Sequence, residues 1–355
     1  MGRVQQTSQT APGGATGRGH AMAGPAVHIV TGKGGTGKST VAAALAVGLA
    51  AGGGRVLLVD VEARHSAAAP LGLATLPRTP GRIAAADGGG EVHGCAPTGE
   101  AVLEDYLRTN FAGSFAGPAM RRLGVPEFVT TIAPGLKDVL LSGFLVEEAR
   151  RGGWDAVVAD APPTGRITRF LDVTRALTDI AAAGPVHRQA RETADYLRSG
   201  KVAVHVTALA EPLPVTESLE AVAELRRMGL TVGTIAVNKM LDAGMCAAAE
   251  RMASRDDTAA SLVSAGLGRE AAEALAGEAL DAAARARVQR EALAELAAGW
   301  DGRLVRLPAI AGGVRVEGIY RMADVLAGAG DREEAGQANA TGADGGAGDG
   351  SGVRR

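Results

Sequence analysis

Lys38 and Ser39 end a run, Gly32-Lys33-Gly34-Gly35-Thr36-Gly37-Lys38-Ser39, that fits the spacing G-x-x-x-x-G-K-[ST]. Glycines in those places leave no side chain between backbone and ligand, so the N–H groups of Gly34, Gly35, Thr36, Gly37, Lys38, Ser39 and Thr40 can surround a phosphate. Lys38 offers a cation to the β- and γ-phosphates, and the Ser39 hydroxyl is a hard oxygen ligand of the kind Mg²⁺ takes. Acids must complete such a site. Asp160 closes the apolar run Trp154–Asp160, an arrangement that brings a carboxylate near the metal, usually through a water. Asp60 and Glu62 stand at the end of another apolar run, Arg55–Val61, with Arg64 and His65 directly after them. The chemistry these types and spacings predict is ATP and Mg²⁺ binding followed by phosphoryl transfer.

The glycine-rich run lies between the short apolar stretch Val27–Val30 and a run of helix formers from Val41. Strand, glycine turn and helix is the context that gives the spacing its meaning, because the helix adds its positive end to the phosphate site. Gly52-Gly53-Gly54 stops that helix, and Arg55–Val61 reads as a buried parallel strand. Residues 66–100 read as loop with one short strand near Val92–Ala96, and Glu100 to about Gly124 and Gly135 to Arg151 as helical. Leu103, Tyr106, Leu107, Phe111, Phe115 and Met120 form an apolar series there, expected to face the core or a subunit contact. The stretch Ala161–Leu171 after Asp160, with two prolines and a glycine, predicts a shaped loop able to sense a γ-phosphate. Lys201–Ala208 and Thr231–Val237 read as strands separated by a helix over Val215–Met228, with Asn238 closing the second. Leu241–Ala298 is helical in composition, and Leu304–Pro308 is a last short strand before a closing helix. About seven strands alternating with helices predict an α/β fold of the P-loop NTPase type: a mostly parallel sheet covered on both faces, with helical segments at about 100–150 and 241–298.

The 355 residues are expected to form one domain over 25–327, flanked by disordered tails at 1–24 and 328–355 that are rich in Gly and Ala. The net charge of −2, from 37 basic and 39 acidic residues, gives no overall pull toward nucleic acid or an anionic membrane. No apolar stretch approaches the ~20 residues of a membrane span, and the N-terminus has no signal-peptide core, so a cytoplasmic location is expected. Cys95 and Cys246 lie far apart with no C-x-x-C, and both read as small hydrophobes and not as metal or redox groups.

With Lys33 the loop takes the form K-G-G-x-G-K-[ST], which resembles the deviant Walker A loop shared by MinD, ParA, the nitrogenase iron protein and ArsA-type ATPases. The run D-A-P-P-T-G-R-I-T-R-F-L from Asp160 is similar to the signature D-T-A-P-T-G-H-T-L-R-F-L of the ArsA-type group. V-L-L-V-D-V-E-A-R-H-S, V-N-K at Asn238 and L-P-A-I-A-G-G-V at Pro308 extend the resemblance over about Val27 to Asp324. A-P-G-L-K-D-V-L-L-x-G points to an actinobacterial branch in which two such ATPases occur as a pair. The resemblance implies a dimeric ATPase in which Lys33 crosses the interface to the partner's phosphates. It also implies Lys38 as phosphate ligand, Ser39 and Asp160 as metal ligands, Asn238 as the reader of adenine and Pro308 as part of the loop beside it.

One departure bears on rate. Alignment on His65 and Ser66 puts Glu62 where the family has the aspartate that positions the attacking water. The extra methylene moves a carboxylate by on the order of an ångström, enough to slow such a step about a hundredfold. Glu62 is the preferred water-positioning residue, and Asp60, on the same strand face, is its rival. The zinc C-x-x-C, the length of the client-binding insertion and the arsenite-binding cysteine cluster are all missing from this chain, which disfavours tail-anchored targeting and arsenite extrusion. The expectation is an Mg-dependent ATPase whose dimer, homodimeric or formed with a sister ATPase, opens and closes for an unnamed client. A nearly inactive regulatory half of a heterodimer, a ParA- or MinD-like positioning ATPase and a small-molecule phosphotransferase are the alternatives.

Overall fold

A computed structural model describes residues 24, 26–111, 136–173 and 185–328 of the chain. Apart from Gly24 and Gly328, the two expected tails lie outside the described residues, as do Phe115 and Met120. Eight strands run among the described residues: β1 (Val27–Gly32), β2 (Arg55–Asp60), β3 (Gly81–Ala86), β4 (Gly90–Cys95), β5 (Ala156–Asp160), β6 (Val202–Leu209), β7 (Val232–Met240) and β8 (Arg303–Pro308). They form one sheet in the order β3-β4-β2-β5-β1-β6-β7-β8. Every pairing is parallel except β3 with β4.

The apolar runs set this order. β1 and β5 are buried along their whole length, as strands covered on both faces must be. Alternate residues feed two cores. Val27, Ile29, Leu57, Val59 and Val157 meet one layer of helices: α3 (Leu136–Arg150), α4 (Thr164–Leu171), α5 (Pro185–Leu197) and α6 (Pro212–Arg227). Val30, Val56, Leu58 and Val158 meet the other layer, α1 (Lys38–Ala50) and α10 (Val316–Ala327). α1 is rich in alanine and lets α10 come close: a Cβ on Gly48 would sit 3.1 Å from the Ala323 carbonyl oxygen. Between β4 and α3 lies α2 (Gly99–Phe111). The stretch expected to be helical from Leu241 consists of α7 (Ala243–Ala253), α8 (Thr258–Ser264) and the 31-residue α9 (Arg269–Gly299).

The strand β3 goes beyond the sequence reading, which has loop there. Its residues, G-R-I-A-A-A, are poor in β-branched side chains, and alanine is depleted in strands. It is an edge strand, held by antiparallel pairing to β4 with an irregularity between Arg82 and Ala84. Asn238 lies inside β7, and does not end it, because the strand continues to Met240 and pairs there with Pro308.

Two histidines lie on the central strands. His28 Nδ1 is 3.0 Å from His205 Nε2, with the rings stacked at 5.3 Å between centroids. Room for the His205 ring comes from Gly233, whose Cβ would approach it to 2.8 Å. Burial pushes the His205 imidazole down to about 3, and the charges of His28 and Arg303 add to this. An unfolded chain takes up that proton near pH ~6.5. The folded protein therefore binds fewer protons below that value. His205 leaves stability untouched above it and erodes it as pH falls toward 3, by up to about 1.4 kcal/mol per pH unit. We expect His205→Gln to flatten the loss of urea stability between pH 7.5 and 5; equal pH slopes in variant and wild type would contradict this.

Candidate functional site

β1, β2 and β5 deliver their last residues to one edge of the sheet, the carboxyl edge where open α/β sheets bind ligands. β1 runs directly into the glycine-rich loop, and α1 begins at Lys38. Two glycines are dictated by contact. A Cβ on Gly32 would stand 2.3 Å from the Thr207 carbonyl oxygen of β6. One on Gly37, where φ is +92°, would stand 2.3 Å from Asn238 Nδ2. Gly37 is also the N-cap of α1, with no side-chain cap bond. The first N–H groups of a helix have no partner within the helix, so this end is suited to an anion.

The loop is held from two sides. Thr31 Oγ1 donates 2.7 Å to the Pro162 carbonyl, which ties β1 to the segment after β5. Asn238 Nδ2 donates 2.8 Å to the Thr36 carbonyl, and Asn238 Oδ1 accepts from the Lys239 N–H. Lys239, with φ at +58°, extends its Nζ to the Gly35 carbonyl at 3.1 Å. Two loop carbonyls are thereby occupied by β7, and Thr36 Oγ1 caps a third, that of Lys33, at 2.8 Å.

The acids form a pair. Asp60 and Asp160 are register neighbours on β2 and β5, 1% and 4% exposed. Burial raises Asp160 to about 6; the Asp60 charge adds to the rise, and the Ser39 hydroxyl, Lys38 and Ser66 oppose it. Burial also raises Asp60, against the pull of N–H groups from Arg64, Ser66 and Glu62. Ser66 bridges the pair, its N–H donating 3.1 Å to Asp60 Oδ2 and its hydroxyl 3.2 Å to Asp160 Oδ2. Two adjacent buried carboxylates are oxygen ligands of the hard kind that divalent cations take.

Glu62 lies further out. Its Oε1 accepts from Arg166 Nη1 at 2.8 Å and pairs with Arg64 Nη2 at 3.5 Å. The loop that carries it is bent through two left-handed residues, Ala63 at φ +52° and His65 at φ +56°. Each is a strained conformation for a residue with a Cβ. Lys33 turns toward its own chain, pairing with Glu217 Oε1 of α6 at 2.7 Å, while Glu217 Oε2 is buried with no hydrogen-bond partner. Pro308 ends β8 beside Met240, on the same edge as Asn238. Cys95 is buried on β4, where desolvation drives its thiol up to about 12, and Cys246 lies on α7.

Lys33, Lys38, Ser39, Asp60, Glu62, Asp160, Asn238 and Pro308 thus all reach this edge. Lys239, Ser66, Glu217 and Arg166 are the residues that sequence reasoning missed. Lys239 was accessible as the neighbour of Asn238. Ser66 and Arg166 lie inside the quoted motifs, but their partners Asp160 and Glu62, like the Lys33 partner of Glu217, are far away in the chain. The Asn238 clasp predicts an order of effects. Asn238→Ala, which loses a buried bond, should weaken ATP binding about tenfold in a calorimetric titration, and Lys239→Met, which loses an exposed one, no more than a few-fold. The reverse order would remove Asn238 as the main support of the loop.

The profile of the anion-transporting ATPase family matches residues 26–183. The ATPase BagA of Mycobacterium tuberculosis is 43% identical over 319 residues, which cover 86% of this chain and 94% of that protein. A Prosthecochloris vibrioformis protein named for an arsenical pump-driving ATPase is 25% identical over 253 residues, 60% of each chain. Among the described residues, no helix is long and apolar enough to cross a membrane. With a glycine loop leading into an uncapped helix, two strand-ending acids beside it, and this similarity over most of its length, the chain belongs to the ArsA-type, anion-transporting ATPase family.

Proposed function

We propose that the protein is a cytoplasmic, Mg-dependent ATP hydrolase that works as a dimer, coupling hydrolysis to opening and closing of the two protomers. The observation that carries this reading is the buried pair Asp60 and Asp160 beside the uncapped start of α1: a place for a cation next to a place for phosphate. Backbone N–H groups from Gly34 to Thr40 would hold the phosphates, with Lys38 on the β- and γ-oxygens. Ser39 and Asp160 would hold Mg²⁺, whose bound charge would offset the negative charge developing on the transferred phosphoryl group. Asn238, near the end of β7, and Pro308, at the end of β8, would border the adenine. Glu62, with Asp60 as rival, would orient the attacking water. The Lys33 side chain is 43% exposed and pairs at its tip with Glu217 of α6. That supports a role toward the phosphates of a partner protomer, which is a second copy or a sister ArsA-like ATPase.

One observation favours a second reading, a nucleotide-binding half with little turnover of its own: the Glu62 carboxylate is already engaged by two arginines. Phosphate release from Mg-ATP, measured over a wide range of protein concentration, separates the two. The first reading expects specific activity to rise with concentration and to vanish when EDTA removes Mg²⁺. Lys33→Ala should cost at least about a hundredfold in turnover, comparable to losing one donor to transition-state charge, with ATP affinity within a few-fold of wild type. ATP bound without hydrolysis at every concentration would leave the second reading; absence of ATP binding would sink both.

A further inference from the structure

The loop after β2 is linked to the first turn of α4, the helix that follows β5, by an ion pair. Arg166 Nη1 lies 2.8 Å from Glu62 Oε1, across 104 residues of sequence. We propose that Arg166 is a positioning residue: its guanidinium holds the Glu62 carboxylate in place for the attacking water. The proposal rests on the assignment of Glu62 to that water.

Four observations carry it. First, the Glu62 side chain is only 16% exposed, whereas Arg166 is 55% and Arg64 69% exposed. The carboxylate is therefore the sheltered member of the group, and the arginines close over it from solvent. Second, both guanidinium contacts fall on Oε1, and the 2.8 Å bond from Arg166 is much closer than the 3.5 Å approach of Arg64. A glutamate has one more rotatable bond than an aspartate, so its carboxylate sweeps a larger volume unless something holds it. A guanidinium pinning one oxygen does so and leaves Oε2 for a water.

Third, Arg166 stands on an anchored base. It is in the first turn of α4, where its N–H donates 2.7 Å to the Pro163 carbonyl. The neighbouring Pro162 carbonyl accepts from Thr31 on β1, and Ile167, Phe170 and Leu171 bury the other side of the helix. The guanidinium is thus referenced to the strand that leads into the phosphate loop, as a positioning group must be. Fourth, Asp138 of α3 lies near both groups: burial raises its carboxyl, Arg166, Arg169 and Lys137 pull it down, and Glu62 pushes it up, so the Arg166 charge offsets both acids.

An ordinary surface ion pair contributes little and would leave turnover unchanged on removal. The test is therefore kinetic, with Arg166→Gln, Arg166→Lys, Arg64→Gln, Glu62→Gln and the double variant Glu62→Gln/Arg166→Gln. Arg166→Gln should lower kcat ten- to a hundredfold with ATP affinity and KM within about threefold. Arg166→Lys should recover part of that loss, and Arg64→Gln should cost less than threefold. The double variant should be no slower than Glu62→Gln alone, because residues acting as a unit are not additive. Hydrogen exchange of residues 61–66 without nucleotide gives a readout independent of turnover, expected to be at least threefold faster in Arg166→Gln. Effects of Glu62 and Arg166 that multiply, or exchange unchanged in Arg166→Gln, would overturn the proposal. Loss of turnover in Glu62→Gln but not in Arg166→Gln removes the proposal alone. Full turnover in Glu62→Gln removes both the Glu62 assignment and what is built on it.

Discussion

Two carboxylates, Asp60 and Asp160, are buried side by side at the ends of neighbouring parallel strands, and the surrounding structure is arranged to tolerate them. Burial makes each harder to ionise, and their mutual repulsion adds to this for Asp160. The compensating groups come from two elements: Ser39 and Lys38 from α1, and Ser66 and backbone N–H groups from the loop after β2. None supplies a full countercharge at bonding distance to both acids. The two acids therefore stay close together with only partial compensation from the protein's own groups.

The phosphate loop depends on the opposite half of the sheet. Asn238 and Lys239 reach from β7 to the Thr36 and Gly35 carbonyls, so the loop is pinned from the side opposite the acids. That contact explains the glycine at position 37, where any Cβ would occupy the place of the Asn238 amide. The loop shape therefore comes from the glycine sequence and from an amide two strands away. This edge is tied by side-chain hydrogen bonds to the segment after β5 and to β7, which suits a cradle whose donors must be in place before the ligand arrives.

The segment carrying Glu62 differs in kind. Two alanine- or histidine-sized residues sit in the left-handed region within four positions, and the side chains that hold the segment, Ser66 and Arg166, are outside it or at its end. Strain in a loop held by a few polar contacts gives an element that can change its arrangement when those contacts change. Lys33 has a related character: its ion pair with Glu217 is half exposed, and the second Glu217 oxygen is buried without a partner.

Much of this was legible in the sequence. The strand–glycine loop–helix unit around Lys38 and the strand-ending acids Asp60 and Asp160 are set by residues consecutive in the chain, where local conformation and spacing carry the physics. The α/β class follows from alternating apolar runs for the same reason. The strand order, which inserts β5 between β2 and β1, was not legible, because it depends on how all the helices pack over both faces. Strand β3 was missed because it is held by pairing and not by its own propensities. The contacts between Asn238 and Thr36, Lys33 and Glu217, and Arg166 and Glu62 span 202, 184 and 104 residues. The sequence by itself determined which polar and charged residues the chain carries at the ends of its apolar runs. Only the tertiary structure decided which side chain holds which, because those partners meet only once the sheet has closed around them.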